Sequence, residues 1–486
     1  MSTLRYLDSD VVSVYEQDSA GKMVRLATLL WGDNVRYVGK SGEWVELEFT
    51  TRRYNETTKK YEWKKHPAFI SSDTRFRDTP LMKVRFVDVG QGDAAIIETP
   101  KGELVLLDGG EESHLYNYVS ASWAHVLRTK TLNIAAVVVT HGDADHFAGL
   151  PRLVDAVRGG ANPMITVDRV YHNGIVKASG SGIGILGTTK KVNGKTYLTQ
   201  LEDDLLQVPD SRMNTPFVRW KAALGKLKQR NSQLKIRRLE YGQTNVFNVL
   251  EDEGISVQVL GPITETISGK PALRCLRTPG TNSLSASHTI NGHSIVLRVT
   301  YGNVRLLFGA DLNEESEESL LERARQDGIS LAAEILKVPH HGSADFSPRM
   351  LEAVRPVVSV ISSGDESGDK EYIHPRAGLV GAIGKYSRPT VERPLVYVTE
   401  MVAFFRRLGQ INAHEYIGGD RTKERPTGTH IQNAYEKTTF GIVHVRTDGE
   451  RVLVATHSGR ADKKEAYAFR VATDGAITFE GNVDVE

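Results

Sequence analysis

The sequence predicts an α/β core with a small all-β module in front of it, and three observations carry that prediction. Short strand-like segments with turn punctuation crowd residues 1 to about 80. From about 83 onward, apolar strands alternate with helical segments. A dense run of histidine and aspartate falls where one fully apolar strand gives way to a helix.

Taken in order, VVSVYEQ, MVRLATLL, NVRYVGK, EWVELEFTTRRY and YEWKKHPAFI alternate with turns and read as the strands of the module. Its stretch LLWGDNVRYVGKSGEWVELEF resembles a bacterial SH3-like domain, with a Gly-Asp turn before one strand and a Gly-x-Trp turn before the next. The core then opens with VRFVDVG, DAAIIET and ELVLLDGG, a helix near 113–128, and IAAVVVT followed by HGDADHFAGLPRLVDAV. Between about 171 and 250 the rhythm breaks, which predicts an insertion over or beside the active face. The strands return at ISVQVLGP, SIVLRVTYG and VRLLFGAD, followed by a helix at EESEESLLERARQDG and a strand at AEILKVPHHGS. Two hairpin signals, VHVRTDGERVLVAT and AYAFRVATDGAITFEG, close the chain. The expected units are 1–80, a main domain over 83–460, and a hairpin at 461–486 packed on it.

Composition excludes several function classes. With 61 basic and 60 acidic residues no protein-wide field draws in a polyanion, so nucleic-acid binding must rest on a local patch. The single cysteine, Cys275, excludes an internal disulfide. No apolar run is long enough for a membrane span and the opening residues lack a signal-like pattern, so the expectation is a cytoplasmic protein without membrane contact.

The chemistry concentrates in His141-Gly142-Asp143-Ala144-Asp145-His146. Alternate residues of an extended segment point the same way, so His141 and Asp143 can converge on one cation while Asp145 and His146 turn toward another. Without a cation, two acids and two imidazoles held together desolvate at a large cost. The loop from Gly180 to Gly184 has glycine spacing like a nucleotide loop, but it follows no strand and lacks the downstream acid, which predicts a flexible insertion instead. Val218 to Arg238 carries no acid and several bases, with Lys226, Lys228 and Arg230 the candidate contacts to a phosphate backbone; the alternative is a solvated face.

The histidine-aspartate run resembles the His-x-His-x-Asp-His signature of the metallo-β-lactamase superfamily, with aspartate replacing the second histidine. In that form it is similar to the hydrolase domain of ComEC-type DNA-uptake proteins. VRFVDVGQGDAAII, LVLLDGG with Asp108, LLFGAD with Asp311, LKVPHHGSADFSP, and YIHPRAGL with His374 extend the resemblance in the same order over about residues 83–400. It implies a four-layer αββα sandwich with two divalent metal ions, Zn or Mn, at one edge. The ligand set it implies is His141, Asp143 and His293 for the first ion and Asp145, His146 and His374 for the second. Asp311 bridges them, and Asp108 orients a histidine from behind. His293 lies at the start of a strand eighteen residues before Asp311, and His288 competes for the role. Two such ions acidify a water held between them, and the oxygen ligand Asp143 makes Mn²⁺ competitive with Zn²⁺. Asp145, His340 and His341 are the expected catalytic residues. Of the two adjacent histidines one donates a proton to the leaving group and the other is structural, in an order the sequence leaves open.

The function this resemblance implies is hydrolysis of phosphodiesters in DNA or RNA by a free-standing nuclease, with a protein partner reached through the N-terminal module. Two alternatives stand beside it. One is hydrolysis of a small substrate, a cyclic nucleotide or a lactone, under a lid formed by the insertion. The other is a binding or sensor protein with a vestigial hydrolase domain.

Overall fold

The computed structural model describes residues 2–364, 374–388, 394–400, 410–416, 424–433, 441–457 and 466–482. The N-terminal strands form one seven-stranded sheet, in the order Met23–Leu30, Val11–Gln17, Lys60–Ser71, Trp44–Asn55, Asn34–Ser41, Thr3–Leu7 and Phe76–Arg77. Its period-two pattern puts Leu7, Val14, Leu47, Ala68 and Ile70 in a common core, all fully buried. The Gly-Asp turn holds Trp31 out of that sheet and against Leu81, Leu453, Ala455, Ala466 and Ala468. The indole lies between two guanidinium groups, Arg451 at 4.7 Å and Arg77 at 5.1 Å from its ring.

The core consists of two facing sheets. A ten-stranded sheet runs Lys235–Arg238, Arg169–His172, Ala136–Val139, Leu104–Leu107, Ala95–Glu98, Met82–Phe86, Ile442–Thr447, Arg451–His457, Ala466–Val471 and Ile477–Asn482. Opposite it, a six-stranded sheet runs Ile255–Gly261, Val296–Tyr301, Val304–Phe308, Ile335–Lys337, Val358–Ile361 and Leu395–Val398. Central strands read as unbroken apolar runs because both of their faces are covered. Val105, Leu107 and Val138 point into the space between the sheets with Leu297, Leu306 and Val358. Leu104, Leu106 and Val137 point outward, under the helices His114–Ser122, Leu150–Val154 and Thr215–Arg230. On the far side, Leu307 and Leu336 meet the helices Glu314–Gln326, Pro348–Val354 and Ala377–Tyr386. The result is a four-layer αββα sandwich with an all-β sheet ahead of it.

Two stretches differ in detail from their sequence reading. Residues 171–250 contribute an edge strand of the ten-stranded sheet, Lys235–Arg238, and an amphipathic helix whose Phe217, Trp220, Leu224 and Leu227 are buried against the sheet. The pair Ala466–Val471 and Ile477–Asn482 continues the ten-stranded sheet as its edge. Among the described residues no helix is long and apolar enough to cross a membrane.

Strand direction places the site. Leu104–Leu107 and Ala136–Val139 run parallel and end at Asp108 and Thr140, while Val304–Phe308 and Ile335–Lys337, parallel in the facing sheet, lead to Asp311 and His340. All four carboxyl ends open on one edge of the sandwich.

Candidate metal centre

Three of the loops at this edge are held in a conformation their sequence does not favour. Asp108, Ala310, His340 and His341 have φ of 60°, 46°, 49° and 53°, four of the nine non-glycine residues with positive φ among the described residues. Such residues cost about 1–3 kcal/mol each and persist where surrounding structure over-determines them. Asp143 takes the N-cap position of the short helix Ala144–Phe147, which carries Asp145 and His146. Gly92, at φ +114°, lets its loop lie on that helix: a Cβ there sits 2.0 Å from the Asp145 carbonyl oxygen.

Three imidazoles converge on one carboxylate. The Nε2 atoms of His341, His146 and His141 lie 3.3, 3.4 and 3.7 Å from Oδ2 of Asp311. Asp145 Oδ2 is 3.4 Å from His341 Nε2 and 3.9 Å from His146 Nε2. The opposite nitrogen of each ring is already engaged. His146 Nδ1 donates to Asp108 Oδ2 at 2.8 Å, His341 Nδ1 to the Ser362 carbonyl at 3.0 Å, and His141 Nδ1 to Thr140 Oγ1 at 3.2 Å. Asp108 also accepts from the Thr140 backbone N–H at 2.7 Å and hydroxyl at 2.6 Å. These bonds occupy Nδ1 of all three rings and leave Nε2 as the nitrogen each presents to the cluster, where a cation would displace any proton it carries.

The bare atoms are the test of whether a metal fits. Nε2 of His141, His146 and His341 and Oδ1 of Asp311 are buried with no aligned hydrogen-bond partner. Buried acceptors left unmade are costly, and lone pairs aimed at one point are what a divalent cation satisfies. Four overlapping groups of three possible ligand atoms lie within 4.8 Å of one another, built from Asp93, Asp108, His141, Asp145, His146, Asp311 and His341. Burial alone lowers an imidazole's pKa and raises a carboxyl's, and here the charges outweigh it. Asp311, Asp108 and Asp145 raise His146 well above 6.5, and Asp311 and Asp145 do the same for His341. Those two rings in turn hold Asp311 well below the usual carboxylate range. His141, where burial wins, is lowered.

Not every expected ligand joins this cluster. Asp143 turns outward, and its Oδ1 accepts from Lys177 Nζ at 2.8 Å. His293 is turned away: its Nε2 donates to the Arg274 carbonyl at 2.7 Å, and burial holds its pKa down to about 4. His288 faces Asp345 at 3.6 Å. His374 lies with its ring 6.4 Å from that of His341 and 6.2 Å from that of His340, outside the converging groups, and burial beside those rings lowers it to about 4. The adjacent histidines separate cleanly: His341 points into the cluster, whereas His340 Nε2 faces the Asn291 amide at 3.3 Å.

The basic helix is also placed differently from its sequence reading. Phe217, near the start of Thr215–Arg230, touches Gly142, so Lys226, Lys228 and Arg230 lie about 14 to 20 Å farther along the axis. There Lys226 pairs with Asp155, Lys228 donates to the Leu234 carbonyl and Arg230 to that of Val154. These side chains hold the helix to its neighbours.

Four residues of the site went unnamed in the sequence. Asp93 pairs with Lys337 beneath the cluster and lies 3.5 Å from His341 Nδ1. Lys177 and Asn291 hold Asp143. A lysine at the end of the otherwise apolar strand Ile335–Lys337 was a readable signal, since a buried ammonium requires a buried acid; the others come from distant loops and left none.

Residues 87–160 match the family profile described as the metallo-beta-lactamase superfamily. Competence protein ComA of Neisseria gonorrhoeae is 41% identical over 86 residues, which are 18% of this chain and 12% of that protein's length. Similar solved structures include a metal-dependent hydrolase of the β-lactamase superfamily, at TM-score 0.32 and 11% identity over 66% of this chain and 97% of that one. A metallo-β-lactamase from Cronobacter sakazakii gives TM-score 0.24 and 14% identity over 57% and 75%. The matched segment, residues 87–160, thus carries the metallo-beta-lactamase superfamily profile and contains His141, Asp145 and His146 of the edge cluster.

Proposed function

We propose that the chain is a metal-dependent phosphodiesterase that cuts nucleic acid. The observation that carries the reading is the convergence of three bare Nε2 atoms on Asp311, each fixed from behind by a hydrogen bond. A divalent cation held there supplies Lewis acidity and an acidified water, which is what attack on a phosphodiester requires. His141, Asp145, His146, Asp311 and His341 are the residues that hold it. Asp108, Thr140 and the Ser362 carbonyl hold the rings by Nδ1, with Nε2 toward the cluster.

His340 is the proton carrier in this scheme. To act as the acid His340 enters the step as the imidazolium: Nε2–H stays on the Asn291 amide oxygen, and the proton on Nδ1, the buried nitrogen without a hydrogen-bond partner, passes to the departing oxygen and leaves the ring neutral. Nucleic acid is favoured as the substrate by the resemblance of VRFVDVGQGDAAII through HGDADHFAG to the DNA-uptake hydrolases and by the identity with a competence protein.

The test is incubation of the purified protein with Zn²⁺ or Mn²⁺ and single- and double-stranded DNA, RNA, cyclic nucleotides and a chromogenic phosphodiester. Chelator-sensitive cleavage of a polynucleotide is expected. Asp311→Ala should lose metal and activity together, whereas His340→Ala should keep its metal and slow by about 10²- to 10⁴-fold. A metal-loaded protein that hydrolyses only cyclic nucleotides or lactones would replace the nuclease reading with the small-substrate one. One that hydrolyses nothing would leave a binding or sensor protein.

A further inference from the structure

We infer that Lys177 is a built-in cation standing in for one of two metal ions, so that the centre takes a single divalent ion, held by Asp145, His146, His341 and Asp311 with His141 beside it. The inference rests on the metal-hydrolase reading and concerns how many ions that hydrolase uses.

Asp143 is the residue that decides it. Its position in the His-x-Asp-x-Asp-His run suits a ligand, yet both of its oxygens are already occupied. Oδ1 accepts from Lys177 Nζ at 2.8 Å. With the Asn291 amide turned as its neighbours require, its nitrogen donates to Oδ2 at 2.9 Å and to the Ser287 carbonyl at 3.1 Å, and its oxygen accepts from His340. Asp143 accordingly belongs to none of the groups of converging ligand atoms among the described residues.

Lys177 is placed there by a built segment. Its carbonyl accepts from the Asn214 N–H at 2.8 Å. Upstream, Asn173 accepts from the Ile175 N–H at 3.1 Å and donates to the His293 carbonyl at 3.0 Å. That last bond and the one from His293 Nε2 to Arg274 anchor His293 from both sides and keep its ring off the site. On the side of a first ion only His141 remains, with Asp311 in common, because the single lone pair of His146 Nε2 serves one ion; two donors fall short of the three protein ligands that a catalytic site supplies. An ammonium on Asp143 supplies positive charge at that place and repels a second cation.

The experiment is metal counting by elemental analysis and calorimetric titration with Zn²⁺ and Mn²⁺ on the full chain, independent of any substrate. Wild type should bind close to one tightly held ion per chain. Asp143→Asn should keep that ion, and Asp145→Asn should lose most of it. Lys177→Ala, and Lys177→Gln as a variant of similar bulk, should raise the count toward two, while Lys177→Arg stays at one. Two tight ions in wild type, or a count unmoved in both neutral Lys177 variants, would overturn the inference and leave the hydrolase reading standing. No bound ion in any protein would overturn the hydrolase reading itself.

Discussion

Asp108 accepts three hydrogen bonds, from two groups of Thr140 and from His146, while its backbone sits at φ 60°. An amide in its place can accept at only one of its two ends, so the ring of His146 is no longer held with Nε2 bare. Asp108→Asn should therefore weaken metal affinity by about 10- to 100-fold, read by competition with a chelating dye; unchanged affinity would reduce Asp108 to a residue that shapes its turn. At this scale the sequence was legible where ligands share one loop. His141, Asp145 and His146 are clustered, and Asp311 ends an apolar strand. It was not legible where function depends on loop torsion. Nothing in VPHHGS says which histidine faces inward, because the strained φ at both positions decides it. The same holds for Asp143, whose spacing suits a ligand but whose neighbours Lys177 and Asn291 come from elements remote in the chain.

Among the elements, the helix Glu314–Gln326 carries a group that makes stability depend on pH. Its first turn is acidic, as suits a helix N-terminus, but Glu317 is buried and accepts from the Ser347 N–H at the start of the next helix. Burial, with Asp345, Glu314 and Glu318 nearby, pushes its carboxyl from 4.5 up to about 8. The folded state then binds the proton that the unfolded state has released, so stability falls as pH rises from about 4.5 to about 8 and is flat on either side. Glu317→Gln should remove that fall, leaving the variant more stable than wild type at the upper end in urea titrations. Parallel slopes for the two proteins would show that Glu317 ionises freely in the fold. Of the elements, the alternating strands and the amphipathic helices were legible from period alone. In the helix Thr215–Arg230 the charges were legible but not the apolar stripe of Phe217, Trp220, Leu224 and Leu227 beneath them, which sets the face that is buried.

For the whole molecule, the seam between the N-terminal sheet and the sandwich turns on Trp31. It is 2% exposed, stacked between Arg77 and Arg451, and Arg451 also reaches Asp10 at 2.6 Å. Trp31→Ala should cost about 3–5 kcal/mol. It should also split thermal unfolding into two transitions and open residues 72–81 to proteolysis. A single transition at the wild-type temperature would mean the two parts are held by other contacts. The sequence showed both parts, but the seam joins residues more than four hundred apart, and no local pattern records such a contact.

The ten-stranded sheet closes by setting Ile442–Thr447 against Met82–Phe86, with Val443 opposite Phe86. During synthesis the first of these strands leaves the ribosome long before its partner exists, and at about 5–20 residues per second the delay is roughly 20 to 70 s. Through that interval the nascent chain carries a strand with one unpaired edge and the apolar face of Met82, Val84 and Phe86 incompletely covered, and Trp31 has no seat, since Leu453 and Ala466 are made later still. The newborn chain is thus most exposed to misassociation while the sheet of residues 3–77 is already complete, and the synthesis of residues 442–468 ends that exposure.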